Sequence, residues 1–82
     1  NILPKAINIL PNPTKDWVNI SHPITTGLTL EVHNIFGQQL LTKTLNNDQT
    51  RIDLSRFPIG VYIFNFKTET AIIRTMKVVK SE

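Results

Sequence analysis

Few residues in this chain have side chains that could do chemistry. His22 and His33 are the only groups suited to general-base work near neutral pH, and Ser21, Ser55 and Ser81 are the serines they would activate. No recognised nucleophile motif joins them. His22 stands before a proline in a loop and His33 on the polar face of a strand, so both are expected at the surface. A metal site would combine these histidines with Asp16, Asp48, Asp53, Glu31 or Glu69, whose spacings match neither zinc nor EF-hand patterns. There is no cysteine, hence no thiolate ligand and no disulfide, and the 3 glycines are isolated, so no phosphate-cradling loop exists. The aromatic residues fall mainly at core positions and the basic ones are scattered, which argues against a nucleic-acid surface. The residues therefore point to a non-enzyme with no metal or cofactor, and a binding or addressing role is what remains.

Size and charge set the frame for that role. With 82 residues the chain has room for one domain, whose apolar burial alone must offset the entropy of ordering. A net charge of +3 is mild, and only Arg74, Lys77 and Lys80 lie close together in sequence. No apolar run approaches the ~20 residues needed to span a bilayer as a helix. The first residue is Asn1 and the sole methionine is Met76, so the chain is expected to be part of a longer protein.

The elements that must position these residues are strands. Gly60, Val61, Tyr62, Ile63, Phe64, Asn65 and Phe66 alternate aromatic and aliphatic faces, which predicts a central strand with its aromatic side in the core. Residues 1–5 read as a linker tail and 6–82 as the domain. A short strand over 6–10 ends at Pro11, Asn12 and Pro13, where two backbone donors are missing. Strand 16–21 puts Val18 and Ile20 inward and Trp17 on the opposite face. A loop from His22 ends at Gly27. Leu28, Leu30 and Val32 face in while Thr29, Glu31 and His33 face out. A turn over 34–38, with Gly37 supplying a positive φ, returns the chain as strand 39–45. A short element over 50–54 centres on Ile52, and Asp53 or Ser55 caps a single helical turn before Pro58. Tyr62 is placed like the tyrosine corner of immunoglobulin-like sandwiches, with its hydroxyl expected on main chain between Leu54 and Arg56. The last strand, 71–79, carries apolar residues on both faces at each end, so it must lie inside a sheet or meet a partner. About seven short strands predict an all-β, immunoglobulin-like antiparallel β-sandwich.

Four motifs stand in order along the chain: Pro11-Asn12-Pro13, Asn34-Ile35-Phe36-Gly37-Gln38, Ile52-Asp53-Leu54-Ser55 leading to Gly60-Val61-Tyr62-Ile63, and Lys77-Val78-Val79-Lys80. Together they resemble the C-terminal sorting domain of type IX secretion cargo in Bacteroidetes, over nearly the whole chain. The hairpin departs from the family's pattern, with Asn34 and Gln38 where acidic and basic residues are frequent. The resemblance implies a non-catalytic domain behind an N-terminal cargo domain in the same parent chain. It also implies passage through the periplasm, recognition by the type IX translocon, removal by a surface sortase, and a cargo that ends at the cell surface or is secreted. By the same analogy the partner-binding residues are Arg74, Lys77, Val78, Val79 and Lys80, supported by the Gly60-Val61-Tyr62 strand. A basic, two-faced terminal strand suits edge pairing with a receptor. The alternative is an immunoglobulin-like carbohydrate- or protein-binding accessory module that would use Trp17 and Phe36; a plain structural spacer would need neither these aromatics nor the terminal lysines.

Overall fold

The computed structural model describes residues 7–22 and 27–81. The expected linker tail over 1–5, Ala6 in the first strand and the middle of the 22–27 loop lie outside the described residues. Seven strands follow one another: β1 (Asn8–Leu10), β2 (Trp17–Ser21), β3 (Thr29–Asn34), β4 (Gln39–Thr44), β5 (Gln49–Asp53), β6 (Gly60–Lys67) and β7 (Ile72–Lys80). They form two antiparallel sheets, one of three strands in the order β1-β2-β5 and one of four in the order β4-β3-β6-β7. This is the all-β antiparallel sandwich that the strand spacing predicts. The division matches the A-B-E and G-F-C sheets of immunoglobulin-like sandwiches with an added C′ strand.

Period-two alternation supplies the core from both sheets. Val18 and Ile20 of β2 and Ile52 of β5 face Leu30 and Val32 of β3, Phe64 and Phe66 of β6, and Val78 of β7, all of them buried. The stretch opening at Gly60 is indeed central, hydrogen-bonded to β3 on one side and β7 on the other. Its second face, Val61 and Ile63, is half-buried on the outside of the sheet. Strand β4 is the opposite edge and is mostly exposed, with Leu41 packing on the core.

The β3–β4 turn forms as expected. The Asn34 side chain accepts from Phe36 N–H at 2.9 Å and Gln38 N–H at 3.0 Å, and its own amide donates to Gln38 Oε1 at 2.7 Å. Two neutral amides thus close the turn. Gly37 takes φ 85°, and a methyl group there would meet nothing within 4 Å. Gly37→Ala should therefore cost only the backbone strain, about 1–2 kcal/mol, read as a lower urea midpoint with an unchanged m-value.

Candidate recognition site

The terminal strand β7 is an edge, paired only with β6 within its sheet. Cross-strand partners run from Gly60↔Lys80 to Phe66↔Arg74, and the register then shifts between Phe66 and Lys67, where β7 bulges. The pleat separates the cations that stand together in sequence. Arg74, Val78 and Lys80 lie on the core side, whereas Thr75, Lys77 and Val79 lie on the outer side. Arg74 and Lys77 are exposed, Val79 is half-buried and Val78 is fully buried.

Lys80 is only 8% exposed. Its Nζ donates to the carbonyl oxygens of Phe57 at 2.6 Å and Ser55 at 3.3 Å. This corner between β5 and β6 is the main chain expected to receive the Tyr62 hydroxyl. Tyr62 instead donates to the Pro58 carbonyl, while Lys80, the partner of Gly60 across β6–β7 and so the diagonal neighbour of Tyr62, occupies the Ser55 carbonyl. The phenol still bonds upstream main chain, and its ring packs on Phe57 with centroids 5.6 Å apart. Burial pushes its pKa above the ordinary value. The corner is a turn and not a helix: Phe57 N–H reaches the Leu54 carbonyl at 3.0 Å, and Asp53 accepts Ser55 N–H at 2.8 Å.

That Ser55 main-chain bond, more than any nearby charge, holds the Asp53 carboxyl below its ordinary value of 3.8. A lowered folded-state pKa means the ionised form is favoured on folding, so its stabilising contribution is complete above the unfolded value and is lost as pH falls through the folded one. Wild-type melting temperature should fall more steeply than that of Asp53→Asn on acidification from about pH 5 to 2; parallel curves would refute the assignment.

The outer edge of β7 is covered along half its length. Asn12 donates from Nδ2 to the Lys77 carbonyl at 3.0 Å and accepts Val79 N–H on Oδ1 at 3.0 Å. Thr14 follows: its N–H donates to the Val79 carbonyl at 2.9 Å, and its own carbonyl accepts Ser81 N–H at 2.8 Å. Thr14 is buried and its hydroxyl donates to the Trp17 carbonyl at 2.5 Å. The Pro11-Asn12-Pro13 segment, read from sequence as a turn, is therefore a strap on the terminal strand. Beyond Lys77, toward Thr75, no described main chain is bonded to this edge.

The family of secretion system C-terminal sorting domains matches residues 8–81. The chain belongs to that family. As a sorting domain it carries a C-terminal signal for type IX secretion, which implies a cargo fused on its N-terminal side and export to the cell surface or beyond. No curated protein matches the chain.

Elsewhere in the sorting domain, the two histidines part company. His33 faces outward as expected, with Nδ1 3.4 Å from the Asn65 amide and Nε2 3.8 Å from the Glu31 carboxylate, which also pairs with Lys67 at 3.1 Å. His22, expected at the surface, is 2% exposed, and its Nε2 lies 3.0 Å from the Thr50 hydroxyl. The reason is register: His22 continues the inward series of Val18 and Ile20, a signal that the following proline obscured. Among the described residues no group of three His, Cys, Asp or Glu could hold a metal ion. Trp17 is on the outer face of the small sheet, 40% exposed, with the Arg51 guanidinium carbon 3.9 Å from its ring centre. Phe36 is 83% exposed beside an apolar cleft of about 280 Å³ lined by Ile35, Leu40, Ile59 and Tyr62 among others.

Proposed function

We propose that this sorting domain is a non-catalytic address read by the type IX translocon in the periplasm through the open half of β7, and then removed by a surface sortase. The carrying observation is that β7 is an edge strand whose main chain is uncovered around Thr75, flanked by exposed Arg74 and Lys77. Extended segments recognise such edges through main-chain bonds, with flanking charges setting orientation. Val78 and Lys80, named with the recognition residues on family analogy, act here by holding the strand: Val78 in the core and Lys80 on the corner carbonyls. Arg74 and Lys77 are the side chains left to meet a receptor, with Val79 beside the strap.

A fluorescent reporter with an inner-membrane leader and this domain at its C-terminus tests the reading in a type IX-competent host. Reporter should reach the medium or cell surface with the intact domain and stay in the periplasm when residues 76–82 are deleted. Because that deletion also removes Val78, the folded double variant Arg74→Glu/Lys77→Glu is the sharper arm, with export expected to fall at least about tenfold. Undiminished export of the double variant would overturn the assignment. The accessory-module reading draws on Phe36 and its cleft; loss of glycan or protein capture by Trp17→Ala or Phe36→Ala, with export unchanged, would favour it.

A further inference from the structure

The open part of β7 is bounded at both ends. Main-chain groups of a strand alternate in direction, so Lys77 and Val79, which bond outward to Asn12 and Thr14, set the phase for the whole edge. By that phase Thr75 turns both its N–H and its carbonyl outward, and Lys77 its N–H. On one side the ladder is broken by the bulge opposite Phe66 and Lys67. On the other stands Asn12, whose side-chain amide offers one donor and one acceptor, the complement that a neighbouring strand's peptide would offer. Bulges and local caps are recurrent ways of blunting an exposed edge.

We propose that Asn12 is a strand stop: together with the bulge it confines strand addition on β7 to a window centred on Thr75, where an acidic extended segment of a partner protein pairs. This rests on the reading of β7 as the recognition strand and adds its register and its partner's chemistry. The window from Arg74 to Lys77 spans roughly 10 Å, room for the outward Thr75 pair and one further bond. So short a ladder selects weakly by main chain, and the side chains must decide. Arg74 and Lys77 stand at the two ends of the window on opposite faces of the sheet and are both exposed. A segment carrying carboxylates on both its faces would meet a cation on each. A second copy of the domain is disfavoured, because antiparallel pairing about Thr75 would set the Arg74 side chains of the two copies diagonally across from one another on one face and leave Lys77 opposite Ile73, with no carboxylate for either cation.

The test tethers a probe strand to the whole chain: a flexible Gly/Ser linker after Glu82, then seven residues alternating valine with pairs of glutamate, followed by amide hydrogen exchange. Tethering gives the probe an effective concentration in the millimolar range. In the wild type, exchange at Thr75 should slow at least about tenfold while Val79, already capped by Asn12, does not change. In Asn12→Ala, Val79 should exchange fast without the probe and slow again with it, because pairing now runs past Lys77. Protection of Phe64 reports folding in each case. If Asn12→Ala does not fold, Asn12→Asp, which keeps the acceptor for Val79 and loses the donor to Lys77, replaces it with the same expected extension past Lys77. No slowing at Thr75 overturns the window, release of the Asn12 side-chain amide by the probe in the wild type overturns the stop, and equal protection by a lysine probe overturns the acidic partner. Thr75→Pro removes an outward N–H together with the hydroxyl bond to Asn65 Oδ1 at 2.7 Å; with Thr75→Val as the control for the hydroxyl, it is then tested in the export assay. If it exports normally although the probe pairs as expected, the stop stands and the sorting role of this edge falls.

Discussion

Truncating Phe64 to alanine should lower the free energy of unfolding by about 3–5 kcal/mol, a large share of the domain's total stability. Phe64 has no exposed surface and sits in the central strand, opposite Val32 of β3 and Met76 of β7. It and Phe66 are the largest fully buried side chains among the described residues, drawn from a sandwich whose two sheets share one small core. A chain of 82 residues has roughly 4–12 kcal/mol of total stability, and with no cysteine no cross-link limits the unfolded ensemble. Urea unfolding followed by Trp17 fluorescence measures the effect. Ile63→Ala, one residue away but half-buried on the outer face, is the control and should cost less than half as much. Equal losses at the two positions would mean that the sheet does not bury the face assigned to it.

Lys80→Met is expected to cost about 1.5–3 kcal/mol, a large effect for a lysine near the end of a chain. Methionine keeps most of the apolar stem and removes the ammonium, so the Ser55 and Phe57 carbonyls lose the charged donor that reaches them from β7. Lys77→Met, three residues earlier and exposed on the other face, should stay within about 0.5 kcal/mol of wild type. The pair separates two roles that the sequence places side by side. Lys80→Met should fail in unfolding experiments. Lys77→Met should fold normally, and any loss of export it shows belongs to recognition. If both variants were equally stable, the corner would be held by the turn alone and the ammonium would be a bystander.

Much of this architecture was legible in the residues because it depends on near neighbours. The alternation of Leu28, Leu30 and Val32 against Thr29, Glu31 and His33 is a property of any pleated strand with one wet face, and the sandwich repeats it in place. Gly37 was identifiable as the turn residue because a positive φ strains every side chain but its own. The order of the motifs was enough to indicate the sorting family.

The partners of polar groups were not legible, since they are fixed by which strands become neighbours. Asn12 and Lys77 are 65 residues apart in sequence and meet only because β7 ends as an edge beside the β1–β2 connection. Lys80 looked like a surface cation in a basic tail; the pleat aligned it with Val78 on the core side, where the corner carbonyls were waiting for a donor. Tyr62 kept the kind of bond expected of it but on Pro58; of the expected acceptors, the Ser55 carbonyl goes to that lysine and the Leu54 carbonyl to Phe57 N–H. By itself the sequence determined the strands, their faces, the turn chemistry and the family resemblance, all of which follow from side-chain type and short-range backbone sterics. Only the tertiary structure decided which half of the terminal strand is held and which half is left open, because an unpaired main-chain group is defined by what does not reach it across the fold.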